Sequence, residues 1–163
     1  MFLKGHYQNA YLTHNLDKAM ALIDGRYGKI DWIVFEPQME FRTSEGMKPV
    51  HLRAALGWAG GLNLELIQPI SGLEQYYQPF LPADPADPTP RFHHIALRRD
   101  DLAAMHAEIE ALGLPFAFEG DMPGVMNFVY LDARESFGHF IEYLWATPEG
   151  WAMQGWPESK VVG

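Results

Sequence analysis

The chain has 163 residues, 48% of them hydrophobic, with no cysteine and a formal charge of −9. That is apolar material for one good core, as one domain or two fused halves; it excludes disorder, disulfides and thiolate chemistry, so any metal would need His and oxygen ligands. The acidic balance, with no cationic cluster beyond Arg98-Arg99, argues against nucleic acid, and with no basic-then-apolar leader and no run of about 18 apolar residues, neither signal peptide nor membrane span is expected and a cytoplasmic location is.

The first unit, "HYQNAYLTHNLDKAMALI" from His6, reads as a short strand followed by a helix. Asn15 stands at the N-cap, where its side-chain oxygen accepts from a free helix N–H. The helix is expected to run to Tyr27 and to end at Gly28 in a left-handed C-cap. Three strands are expected next, over residues 31–41, 50–58 and 62–68. In "LNLELIQ" the period-2 alternation puts Leu62, Leu64 and Leu66 under the helix and turns Asn63, Glu65 and Ile67 to the opposite face.

The stretch "YYQPFLPADPADPTPR" is rich in proline, which fixes φ and removes N–H donors, so residues 76–91 are read as a linker. The second unit, "FHHIALRRDDLAAMHAEI" from Phe92, repeats the first. An offset of 86 lays Gln8 on His94, Ala10 on Ala96, Asn15 on Asp101 and Leu16 on Leu102. Its helix is expected to run to Leu112 and to end at Gly113, with strands over 115–119, 125–131 and 139–145. Alternation groups His93 with Ile95 and Leu97 on the apolar side and turns His94, Ala96 and Arg98 the other way, which makes His94 the exposed histidine. In "GHFIEYLW" polarity does not decide which face carries Glu142. The expected organisation is thus a first βαβββ module over 1–75, a linker over 76–91, a second module over 92–146 and a tail over 147–163. Trp151 and Trp156 of the tail are expected to pack on the body or on another subunit.

The stretches "YQNAYLTHNLDKAM", "LNLELIQP", "FHHIALRRDDL" and "FGHFIEYL" resemble the four signature strands of the vicinal oxygen chelate superfamily, which includes glyoxalase I, methylmalonyl-CoA epimerase, extradiol dioxygenases and bleomycin-resistance proteins. The resemblance spans both halves. It implies an α+β fold in which two tandem βαβββ modules form a curled mixed sheet around a cleft. It also implies that the first and last strands of each module supply one metal ligand each, at Gln8, Glu65, His94 and Glu142, and so places Glu142 in the cleft.

One imidazole, one amide oxygen and two carboxylates suit a single divalent ion such as Zn, Ni, Co, Mn or Fe. By resemblance to glyoxalase I the base is Glu142, with Glu65 the second choice. The expected function is a metal-dependent lyase or isomerase that abstracts an α-proton from a small molecule with vicinal oxygens. The alternatives are a metal-free binding protein of the bleomycin-resistance kind, whose cleft takes an aromatic or cationic ligand, and a subunit whose main task is assembly. A homodimer is compatible with all three. Extradiol oxygenase chemistry is disfavoured, because its facial triad needs a second histidine. His93 and His139 are assigned to structure or to orienting a ligand. Arg98 has two readings, a partner for a substrate carboxylate or phosphate and a surface arginine paired with Asp100 or Asp101.

Overall fold

The computed structural model describes residues 3–157. The repeat seen in the sequence is the repeat of the fold. In the first half, β1 (His6–Leu12) and α1 (Leu16–Tyr27) are followed by β2 (Ile33–Phe35), β3 (Gln38–Thr43), β4 (Gly46–Ala59) and β5 (Leu62–Ser71). A short α2 (Glu74–Tyr77) and a 3-10 turn (Gln78–Phe80) come next. The second half holds β6 (Arg91–Arg99), α3 (Leu102–Leu112), β7 (Phe116–Met122), β8 (Met126–Ala133), α4 (Arg134–Phe137), β9 (His139–Ala146) and α5 (Pro148–Met153).

Both long helices start where the capping chemistry demands. The Asn15 side chain accepts from the Lys18 N–H at 3.0 Å and that of Asp101 from the Ala104 N–H at 2.8 Å. Gly113 takes the left-handed conformation expected of a C-cap, at φ 67° and ψ 18°. Gly28 does not: its φ is 105° but its ψ is 156°, because the chain extends at once toward β2 instead of closing a further turn.

Residues 31–41, expected as one strand, form two. Phe35 pairs with Ala54 and Gln38 with His51, so β2 and β3 meet β4 in one unbroken register. Pro37 lies between them without an N–H to donate, while its carbonyl accepts from the Leu52 N–H at 3.1 Å. The expected linker is not wholly irregular either, since α2 and the 3-10 turn occupy its start. Tyr77 and Phe80 there pack against His93. Of the tail, Trp151 and Trp156 pack against Tyr7 on the body, and residues 158–163 lie outside the described part.

The nine strands of the described residues form one sheet that closes on itself. The two halves meet through β1 and β6, which are antiparallel, while β1 with β5 and β6 with β9 are parallel. At the opposite side β3 and β7 meet through Arg42 with Glu119 and Thr43 with Phe118. The expected cleft is thereby the inside of a barrel. Its outer face carries the helices: Leu16 and Ala19 of α1 cluster with Ala55 and Leu66, and Met105 of α3 with Leu97, Ile141 and Tyr143. Its inner face carries a third cluster that includes Phe41, Ile67, Phe118 and Tyr130.

The short seam depends on packing. Phe118 is fully buried, stacked on Tyr130 with ring centroids 4.2 Å apart and on Phe41 at 5.4 Å. Replacing it with Ala removes both stacks and leaves a cavity beside the two-pair seam. Phe118→Ala is expected to lower the unfolding free energy by about 3–5 kcal/mol, measured by denaturant titration. A loss below about 1 kcal/mol would mean that the seam does not rest on this ring.

Candidate metal centre

The β1–β6 ladder is interrupted twice, and both interruptions matter. His6 pairs with Leu97 and Gln8 with Ala96, which leaves Tyr7 as an extra residue on β1. Ala10 pairs with His94 and Tyr11 with Phe92, which leaves His93 as an extra residue on β6. The offset that lays Gln8 on His94 lays Tyr7 on His93, so the two bulges occupy equivalent positions in the two halves. A bulge re-aims the side chain of its extra residue. His93 therefore does not join Ile95 and Leu97 on the outer face, as strict alternation predicts; it packs against Tyr77, Phe80 and Phe140. His94 faces the interior as alternation requires, but it is not exposed: the closed barrel leaves it 0% accessible.

Register then assembles the donors. Ala10 pairs with both His94 and Glu65, and Ala96 with both Gln8 and Glu142. Each half thus contributes one ligand-type residue two positions before an alanine and a glutamate across from that alanine. Ala10 and Ala96 are fully buried, and their methyl groups leave the space between the four longer side chains open. His94 Nε2 lies 3.5 Å from Glu65 Oε2, 3.3 Å from Glu142 Oε2 and 3.2 Å from the Tyr130 hydroxyl. One ligand atom from each of Glu65, His94 and Glu142 falls within 4.8 Å of the others. Gln8 Nε2 donates to Asn63 Oδ1 at 2.9 Å, so the amide oxygen is the atom Gln8 has left to offer.

His93 sets the state of His94. His93 Nε2 is 3.1 Å from the Tyr76 carbonyl, which only accepts, so Nε2 carries the proton. Burial, with repulsion from His94, pushes the His93 pKa well below the ordinary histidine value. The ring is neutral and its Nδ1 has a free lone pair. That lone pair meets His94 Nδ1 at 2.8 Å, so His94 donates from Nδ1 and turns Nε2 to the carboxylates. Burial opposes charge on His94, yet hydrogen bonds to Glu142 and Glu65 outweigh it and raise its pKa to about 9. Burial raises Glu142 as well, partly offset by its hydrogen bond to His94. Burial and the nearby carboxylates hold the Tyr130 phenol far above its usual range, so it stays an O–H donor.

These residues fit a divalent ion. An imidazole nitrogen whose other nitrogen is held by a hydrogen bond is a metal ligand in the arrangement proteins commonly use. Two carboxylates match the charge of a dication, and an ion there would take the place of the His94 Nε2 proton as their counter-charge. The structure brings together Gln8, Glu65, His94 and Glu142; it does not bring Arg98 to them. The Arg98 Nε donates to Asp100 at 2.8 Å, and its guanidinium lies 4.4 Å and 4.2 Å from the rings of Trp151 and Trp156. His139 bonds the Phe140 carbonyl at 2.7 Å and packs against Phe92, away from the centre. Sequence reasoning missed Asn63 and the Tyr130 hydroxyl. Alternation puts Asn63 on the Glu65 face, a signal that was available; Tyr130 becomes a partner only through its pairing with Glu142.

The centre opens into a cavity of about 290 Å³ to which Gln8, Glu65, Tyr130 and Glu142 present polar groups. Most of the remaining lining is aliphatic, aromatic or methionine.

A family model described as glyoxalase/bleomycin resistance protein/dioxygenase superfamily matches residues 7–130. No curated protein matches the chain. Among solved structures, a hypothetical protein from Bacillus halodurans is similar at 13% identity and a TM-score of 0.57, over 87% of this chain and 94% of that one. A variant of Streptomyces coelicolor methylmalonyl-CoA epimerase in complex with 2-nitronate-propionyl-CoA is similar at 15% identity and a TM-score of 0.56, over 89% of this chain and 96% of that one. Methylmalonyl-CoA epimerase from Mycobacterium tuberculosis is similar at 16% identity and a TM-score of 0.55, over 91% of each chain. At these identities the likeness is one of fold.

The His93–His94 hydrogen bond yields a direct test. His93→Phe keeps an aromatic ring in the bulge but leaves His94 Nδ1–H without its acceptor. Affinity for Zn²⁺ or Co²⁺ is expected to fall by about 10- to 100-fold, measured by calorimetric titration of the chelator-treated protein. Unchanged affinity would show that His93 does not orient the ligand.

Proposed function

This chain belongs to the glyoxalase/bleomycin resistance protein/dioxygenase superfamily, and on that premise we propose that it is a metal-dependent lyase or isomerase of the glyoxalase or epimerase type. In this reading Gln8, Glu65, His94 and Glu142 hold one divalent ion. The observation that carries it is the pair of glutamates, one from the last strand of each half, whose carboxylates flank His94 at 3.5 Å and 3.3 Å inside the barrel.

When bound, the ion would supply Lewis-acid stabilisation of negative charge developing on a substrate oxygen. The protein's own residues do the rest. Glu142, buried and raised in pKa, takes the α-proton of the bound molecule. Glu65 comes from the other half of the barrel and brings a second carboxylate to the same His94 ring, at 3.5 Å. The protonated Glu142 then returns the proton, to the neighbouring carbon in an isomerase; in an epimerase a second group that already carries a proton of its own delivers it from the other face, and Glu65 is the candidate. The Tyr130 O–H stabilises whichever neighbouring group carries negative charge, and the closed barrel keeps bulk water from competing for the proton.

Two measurements test the reading together. Elemental analysis of the purified protein is expected to find about one divalent transition metal per chain; a protein that carries none and binds none at micromolar concentration overturns the proposal. Glu142→Gln is expected to retain metal while slowing α-proton exchange by about 10²- to 10⁴-fold, followed by NMR in D₂O over a panel of α-hydroxyketones and thioesters. Equal exchange rates in wild type and variant would move the base to Glu65.

A further inference from the structure

We infer that the molecule handled at this centre is uncharged and largely apolar, entering with its vicinal oxygens first and leaving its body against a hydrophobic wall and rim. The inference rests on the functional reading above for the oxygen-bearing head, and on the cavity alone for the rest.

Away from the carboxylates the wall is apolar. Met39, Leu52, Phe128 and Leu144 line it, and among the described residues that line the cavity there is neither lysine nor arginine. The arginines on the wall-forming strands are engaged elsewhere: Arg42 of β3 with Glu119, and Arg53 of β4 with Asp17 at 3.2 Å. The rim repeats the pattern. Ile33, Phe35, Met122 and Met153 line the cavity and are also 39–54% exposed, so they mark where it opens to solvent.

A substrate with a phosphate, nucleotide or carboxylate tail would run that tail past these four side chains with no lysine or arginine among the described lining residues to receive it. It would do so in the field of two interior carboxylates and a chain charge of −9. An apolar tail suffers neither penalty, and each methylene it buries favours binding by about fourfold. The cavity, near 290 Å³, stands at the lower end of the range of about 300–1,000 Å³ for small-molecule pockets. It takes a compact molecule or the head and first part of a longer one. Methionines at 39, 122, 126 and 153 line it, and their unbranched, polarizable side chains adapt to tails of different shape.

The test compares three probes by calorimetry: hydroxyacetone, hydroxymethyl hexyl ketone, and the latter with a carboxylate at the end of its chain. Each is titrated into the Zn²⁺-loaded and the chelator-treated protein. The hexyl ketone is expected to bind at least tenfold more tightly than both hydroxyacetone and the carboxylate-ended probe. Its advantage over hydroxyacetone should persist after chelation, because the tail meets the wall and not the ion. Ile33→Arg, at an exposed rim position, is expected to bring the carboxylate-ended probe within about threefold of the neutral one. If the metal binds but tail length makes no difference, or if the carboxylate-ended probe binds best to the wild type, this inference is overturned while the metal centre stands. If tail length matters but no metal binds, the functional reading fails and the apolar cavity stands. Dissociation of a dimer by Ile33→Arg, seen by light scattering, without change in any probe's affinity would overturn the assignment of the rim to substrate.

Discussion

The antiparallel pairing of β1 with β6 is the constraint on which the rest of the structure depends. It joins the two halves, and it is also where the first ligand-type residue of each half lies. Strands that ran in strict register would place every second side chain on the outer face. The two bulges, at Tyr7 and His93, break that rule at equivalent points. They let two successive residues of each strand contribute to the interior or its ends. In the second half this stacks His93 behind His94. In the first half it places Tyr7 against Trp58, Trp151 and Trp156.

The chemistry of the interior follows from burying like charges together. Glu65, His94 and Glu142 bring their ligand atoms within 4.8 Å of one another in a barrel that is otherwise largely apolar. One imidazolium compensates only one of two ionised carboxylates, and charges removed from water need partners of matching total charge. A dication bound by a neutral His94 would compensate both. The hydrogen bonds from Tyr76 through His93 hold the lone-pair side of His94 toward that point, so the neutral ring is already oriented for the task. Tyr130 serves the same centre from the neighbouring strand β8.

Closure of the sheet turns this polar cluster into the floor of an apolar chamber. The seam between β3 and β7 is only two residue pairs long, reinforced by the Arg42–Glu119 ion pair and by the stacked rings of Phe41, Phe118 and Tyr130. Tyr130 belongs to both the seam and the centre. Packing that closes the barrel therefore also sets the position of a hydroxyl beside His94, and stability and site geometry are coupled through one side chain.

Much of the architecture was legible in the sequence. The repeat at an offset of 86, the N-caps at Asn15 and Asp101 and the alternation in "LNLELIQ" are local properties, dictated by propensity, capping and period; alternation turned Glu65 and His94 away from the apolar face and the repeat laid Gln8 on His94, but that this face is the inward one came from the family resemblance. Glu142 was not decidable that way, since every face of "GHFIEYLW" carries apolar groups; the family resemblance supplied it and the pairing of Ala96 with Glu142 shows why it points inward. The tertiary structure decided what depends on partners far along the chain. A bulge is a mismatch between two strands, so no single strand announces that His93 turns inward, and burial of His94 required the closing contact between β3 and β7. Arg98 shared the face of His94 by alternation, but Asp100 and two tryptophans of the tail took its guanidinium, because a long flexible side chain goes where charge and aromatic faces meet it and not where strand period alone points.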